Sequence, residues 1–335
     1  NRSPRIKSQR TILMARFYQR NFDDLRRPWQ DIYLRSQGGL LFSSPDWAEA
    51  WWKHFSAGST LSAGAVEEDG TVIGIAPLRL QDGIVRFIGA NNLFDFQDFV
   101  VEQGREQVFY STLLHHLSET GAAALDLGPL LPGSGAYRLL VPVARELGLD
   151  VTCSPDEFTV SLDLPADLPA YLALLSGKQR HELLRKERRL NEEGEVSYRV
   201  KDEASEADID LFLDFFRESR EDKNRFLTPS VELFMRDIIS SSQARGMLRL
   251  GILELNSTPI AATLCFEYGG GIYLYNSGYS PDYGWLSAGL LSKYYSIRDS
   301  IARGKSCYDF LKGAEKYKFH LGGKETALFR CIIKL

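Results

Sequence analysis

Tyr308-Asp309-Phe310-Leu311-Lys312-Gly313, followed closely by Lys316-Tyr317-Lys318-Phe319-His320-Leu321-Gly322-Gly323, is the stretch on which the fold turns. It predicts an apolar strand carrying an aspartate, then a loop rich in lysine and aromatic residues that ends in Gly-Gly. A closing strand is expected near Ala327 to Ile333. A Tyr-Lys-Phe run also suits an ordinary edge strand whose exposed lysine discourages pairing. The rest of the chain has to decide.

Upstream, the chain repeats itself. From Val66 it reads Val-Glu-Glu-Asp-Gly-Thr-Val-Ile-Gly-Ile-Ala-Pro-Leu, two strand-like runs joined at Asp69-Gly70, a strong hairpin signal. A second hairpin, Leu253 to Leu264 with its turn at Asn256-Ser257, aligns with the first without a gap. Two helices are expected before each hairpin: Asp23 to Arg35 and Trp47 to Phe55, then Ala204 to Asp222 and Val231 to Gln243. After each come a strand (Ile84 to Ile88, Ile272 to Tyr279), a helix (Glu106 to Glu119, Ser287 to Arg303) and an aspartate-bearing strand (Leu125-Asp126-Leu127, Tyr308-Asp309-Phe310). The order helix-helix-hairpin-strand-helix-strand, given twice, predicts an α/β (α+β) fold of two similar mixed-sheet units. The expected limits are 14–164 and 195–335, with a connecting basic region at 165–194 and a disordered lead over 1–13.

That connection holds Lys178 to Leu190, a helix stopped by Gly194, with Leu183, Leu184 and Leu190 on a narrow apolar face and six Lys or Arg around the rest. Such a charge run is a solvated helix or a cationic rim for phosphates. In the second unit, Ser287 is an N-cap candidate and the small residues Ala288 and Gly289 leave backbone N–H groups approachable, as suits a pyrophosphate. Asp282 to Gly289 nevertheless lacks a leading basic residue and a full glycine spacing.

Composition narrows the classes. The chain has 335 residues, 44% hydrophobic, and a formal charge of −4, so a nucleic-acid coat is not indicated and only local basic patches count. Cys153, Cys265, Cys307 and Cys331 are far apart and form no CxxC pair, which suggests neither a zinc site nor a disulfide framework; free thiols in a reducing cytoplasm are expected. No apolar run approaches the roughly 18 residues that would span a bilayer, though peripheral membrane contact is left open. Gly-x-Ser-x-Gly, Walker A and metal-spaced histidines are missing from the sequence, and His115-His116 are adjacent on a helix and diverge. No metal and no tightly bound cofactor is expected.

The Asp-Phe strand, the Lys316 to Gly323 segment and the duplicated order together resemble the GNAT-related acyltransferases of the CelD/BioF2-like group and their FemABX peptidyltransferase cousins. The resemblance spans about residues 40 to 323 and implies a tandem GNAT fold. It implies an N-acyltransferase that moves an acyl group from acyl-CoA, a co-substrate, to the amine of a sugar, lipid or amino-acid acceptor by direct attack. In these families a motif of the type Arg-Phe-Lys-Lys-Gly-Phe-Gly-Gly places its lysine on Lys318, and a Lys-x-Arg motif falls on Lys178 and Arg180, the arginine contacting an anionic acceptor. Such a transfer needs a neutral amine and a stabilised oxyanion; for these the sequence offers Lys318, as cation for the oxyanion or a carrier phosphate, Tyr275 or Tyr317 as hydrogen-bond donor or proton relay, His320 as base or simply as a surface residue beside the Gly-Gly turn, and Asp309 to orient Lys318 or simply to end its strand. Ser277, Ser287, Ala288 and Gly289 would face the acyl-CoA; Asp98 and Trp285, with Lys178 and Arg180, would face the acceptor. Two other readings stay open: a FemABX-like transferase using aminoacyl-tRNA on a peptidoglycan precursor or peptide, and a non-catalytic binding protein with a decayed site.

Overall fold

Both hairpin turns form at backbone angles few residues adopt. Asp69 and Gly70 have φ of 51° and 76°, Asn256 and Ser257 of 50° and 62°, the left-handed pair of a type I′ turn, whose twist matches that of the strands it joins. The computed structural model describes residues 15–35, 40–89 and 92–335; the lead expected over 1–13 lies outside them. The first half comprises β1 (Arg16–Gln19), α1 (Phe22–Arg35), α2 (Pro45–Phe55), β2 (Thr60–Leu61), β3 (Gly64–Glu68), β4 (Thr71–Ala76), β5 (Leu78–Gln81), β6 (Ile84–Phe87), β7 (Val100–Val101), α3 (Glu106–Glu119) and β8 (Ala124–Leu130). A π-helical turn then leads into α4 (Val141–Glu146), followed by β9 (Val151–Asp163).

The connection is α5 (Leu168–Leu174) and α6 (Gly177–Glu192), the latter started by a reciprocal capping box between Ser176 and Gln179. The second half comprises β10 (Val196–Lys201), α7 (Glu206–Ser219), α8 (Glu221–Phe226), α9 (Pro229–Ala244), β11 (Leu248–Leu255), β12 (Thr258–Tyr268), β13 (Gly271–Tyr279), α10 (Ala288–Ala302), β14 (Cys307–Lys312), α11 (Lys316–His320) and β15 (Lys324–Lys334).

Four local expectations are corrected. The helix read from Ala204 to Asp222 breaks at Arg220, whose backbone is extended, into α7 and α8. The lysine-rich loop after β14 is a turn of helix, α11, because Lys318 and Leu321 donate their N–H groups to Glu315 and Tyr317. Ser287 does not cap α10 with its side chain; its backbone is left-handed, φ 62°, and its carbonyl accepts from Leu290 and Leu291. Cys153 and Cys331 are disulfide-bonded, since they face each other across β9 and β15 with Cα atoms 4.2 Å apart; Cys265 and Cys307 are free thiols.

Among the described residues a small sheet runs β1-β3-β4-β7 and a large mixed one runs β10-β11-β12-β13-β14-β9-β15-β8-β6-β5-β2. The centre of the large sheet shows an exchange: β9, from the first half, pairs with β14 of the second, while β15 pairs with β8 of the first. A shared core reinforces the join. The Trp47 ring of α2 sits 5.8 Å from Phe234 of α9, 5.5 Å from Phe266 of β12 and 5.1 Å from Tyr275 of β13, and burying each such aromatic contributes about 2 kcal/mol. No helix among the described residues is long and apolar enough to cross a membrane.

Candidate active site

β13 and β14 run parallel through Gly271↔Cys307, Ile272↔Tyr308 and Tyr273↔Asp309, and pair no further. Asp309 ends the pairing. Its carboxylate accepts the Leu311 N–H at 2.7 Å and the Thr159 hydroxyl at 3.2 Å, and so holds Leu311 at φ 62° in a bulge against β9. Burial pushes the Asp309 carboxyl up to about 7 against the pull of the Leu311 N–H. Beyond the bulge the strands diverge around a cleft of about 350 Å³, the position where ligands enter open α/β sheets.

Lysines dominate its walls. Lys293, on the buried face of α10, donates to the Gly289 carbonyl at 2.6 Å and lies 4.7 Å over the Tyr317 ring. Burial first, and then the charge of Lys223, depress it to about 7. Lys223, brought in by the break before α8, donates to the Ser277 carbonyl and lies 4.8 Å over the Phe216 ring; burial pulls it down to about 8. Arg220, Lys312 and Lys318 also line the cleft, against the carboxylates of Asp95 and Glu315.

Asp95 comes from the other half. The first-half counterpart of β13 is cut in two: β6 pairs with β5 and β7 with β4, and residues 92–99 lead into β7 as a loop. This loop reaches the second half, where the Tyr275 hydroxyl donates to the Leu93 carbonyl at 3.1 Å and Asp95 accepts the Lys312 N–H at 2.8 Å. Burial pushes the Asp95 carboxyl up while the Lys312 N–H and the Lys312 and Lys318 charges hold it down.

Of the residues picked out by sequence, Tyr275, Ser277, Ser287, Gly289, Tyr317 and Lys318 line this cleft. Lys318 is 2% exposed, and its three protons meet the Leu311 carbonyl at 3.0 Å, the Lys312 carbonyl, and Glu315 at 3.1 Å, which accounts for all an ammonium can donate. A Cβ on Gly289 would lie 2.7 Å from the Tyr279 ring, so the glycine admits Tyr279. Ala288 is buried beneath, Asp309 stands behind the bulge, and His320 is exposed on the far end of α11. Burial keeps the Tyr275 and Tyr317 phenols protonated.

The remaining candidates lie apart. Asp98 accepts from the N–H groups of Phe99, Gly135 and Ala136 and borders a separate cavity in the first half; burial pushes it up to about 6. Lys178 and Arg180 are exposed beside Gln179, whose amide donates to the Phe319 carbonyl at 2.9 Å and seats α6 on α11. Trp285 is 52% exposed with Arg189 4.8 Å over its ring. Sequence reasoning missed Lys293, Lys223, Arg220, Lys312 and Asp95. A signal existed for the first: Lys293 falls among Leu291, Tyr294 and Ile297 on the apolar stripe of its helix, where a lysine is out of place.

Residues 177–319 match the family model described as an acetyltransferase (GNAT) domain. Among solved structures the chain is similar to FemX, with a TM-score of 0.63 at 12% identity over 94% of this chain and 96% of that one. It is similar also to the C-terminal domain of a putative lysylphosphatidylglycerol synthetase from Agrobacterium fabrum, at 0.59 and 11% over 93% and 92%, and to L-PGS from Bacillus licheniformis, at 0.58 and 10% over 91% and 90%. At such identities the likeness is one of fold. No curated protein matches the chain in sequence.

Proposed function

We propose that this chain, whose residues 177–319 match a GNAT acetyltransferase domain and whose fold is similar to that of FemX, is an acyltransferase that passes an acyl group from acyl-CoA directly to an amine at the divergence of β13 and β14. The observation that carries this reading is the cationic cleft opened there, with one lysine depressed to about 7 on its wall. An amine attacks only when neutral, and a base poised near the working pH removes its proton best. Lys293 in its neutral form takes that proton. The amine nitrogen then bonds to the thioester carbon, the C–S bond breaks, the protonated Tyr317 phenol donates to the departing thiolate, and the second proton released by the nitrogen as it becomes an amide restores the Tyr317 phenol. Arg220 and Lys223 face the carrier phosphates. Lys318 acts through the chain: by pinning the Leu311 and Lys312 carbonyls it holds the cleft wall, and Asp95 and Glu315 offer carboxylates to the incoming ammonium.

Thermal shift and native mass spectrometry against acetyl-CoA, a long-chain acyl-CoA and an aminoacyl-tRNA test it. Saturable stabilisation by an acyl-CoA, reduced in Lys223→Ala, is the expected result. Binding of charged tRNA alone would move the donor to an aminoacyl ester. Binding of neither would leave a GNAT fold without a donor site and overturn the proposal.

A further inference from the structure

The two halves set the same strand pair in the same register: β6 runs parallel to β8 through Ile84↔Ala124, Val85↔Leu125 and Arg86↔Asp126, as β13 does to β14. Where the second half opens its cleft, the first opens a cavity of about 240 Å³ walled by Arg79, Arg86 and Arg330 with one carboxylate, Asp126. Arg330 clamps Asp126 with two nitrogens at 2.7 and 2.6 Å, and Arg86 adds a third at 3.0 Å. That carboxylate is fully engaged by two guanidiniums.

Arg79 is left over. It is 9% exposed, stands directly across the strand from Arg86, and has no carboxylate partner among the described residues. One terminal nitrogen donates to Ser59 Oγ and Gln81 Oε1, the guanidinium lies 5.0 Å over the Trp51 ring, and its Nε is buried with no hydrogen-bond partner. Like charges opposite each other in a sheet repel, and a buried charge needs a counter-charge. Three guanidiniums against one carboxylate leave an excess of two positive charges in a cavity bordered by Gly89, where a Cβ would meet Gln97 Oε1 at 2.7 Å, so the glycine lets Gln97 approach the cavity wall.

We propose that this cavity is an anion site that takes a phosphoryl dianion, held by Arg79, Arg86 and Arg330. The charge excess matches two negative charges, and guanidinium forks pair with phosphate oxygens. Gln97, which borders the cavity, also belongs to the loop that delivers Asp95 to the acyl-transfer cleft, so the ligand sits at the root of that wall.

Isothermal titration of the full chain at low salt with inorganic phosphate, glycerol 3-phosphate and acetate tests it, with no reliance on acyl transfer. Saturable binding of one phosphate or phosphoester per chain is expected, with acetate at least tenfold weaker. Arg79→Met, which keeps an unbranched side chain of similar length but gives up the guanidinium that lies 5.0 Å over the Trp51 ring, should weaken binding at least tenfold yet raise the Tm of the ligand-free protein, because a buried charge without a carboxylate partner is gone; a purely structural arginine would lower it. Arg330→Gln gives a second reading should the first variant not fold. Tighter binding of glycerol 3-phosphate points to a phosphorylated small molecule, tighter binding of phosphate to the free ion. Undiminished binding in both variants, or its loss in Lys223→Met instead, would overturn the site.

Discussion

Lys293 carries the chemistry most exposed to test. With its ammonium depressed to about 7, it is a base only above that pH, so kcat/KM is expected to rise through pH 7 and then level, and Lys293→Met to lose both the rise and roughly a hundredfold or more in rate. An unchanged profile would remove it from the mechanism. The linkage has a definite sign: between about 7 and its ordinary 10.5 the unfolded chain holds a proton the folded chain has lost, so this group's contribution to stability grows with pH across that window. Lys293→Met should therefore raise the Tm more at pH 6 than at pH 10, as scanning calorimetry would show. Lys318 behaves differently, because its protons are spent on Leu311, Lys312 and Glu315. Lys318→Ala should cost about 1–3 kcal/mol of stability by leaving buried carbonyls unpaired and lower kcat at least tenfold, about 1.4 kcal/mol in barrier, by loosening the wall. Full stability with full turnover in that variant would contradict the pinning role.

At the scale of elements, legibility follows the reach of the interactions. Asp69-Gly70 and Asn256-Ser257 announced their hairpins because a type I′ turn is written in adjacent residues, and the aspartate-bearing β14 stood out by its apolar run. The break at Arg220 stayed hidden, since the residues on both sides of it favour helix and only the extended backbone at Arg220 separates α7 from α8. Asp95 was equally unreadable: its place depends on contacts to Lys312 and, through Leu93, to Tyr275, more than 180 residues away in each case. The Cys153–Cys331 pair has the same cause, a register between β9 and β15 that spacing along the chain does not encode. Thiol titration of the denatured chain should find two reactive cysteines, Cys265 and Cys307, before reduction and four after it. Four at the outset would place all the cysteines in the thiol form.

For the whole molecule, the exchange of β9 and β15 makes the halves one thermodynamic unit. β15 lies between β8 and β9, and β9 between β15 and β14, so neither half completes its sheet alone, and the aromatic cluster around Trp47 draws on both. Unfolding one half would strip the other of a central strand and of core rings each worth about 2 kcal/mol, so partial unfolding is disfavoured at every temperature where the rest is stable. Calorimetry is therefore expected to show a single transition whose van't Hoff and calorimetric enthalpies agree. A chain ending at Gly323, which lacks β15, should fold in neither half, because β8 and β9 would each present an unpaired edge in the middle of the sheet. Two resolved transitions in the full chain, or a folded second half in the shortened one, would show that the sheet's continuity does not couple the site to the arginine-lined cavity.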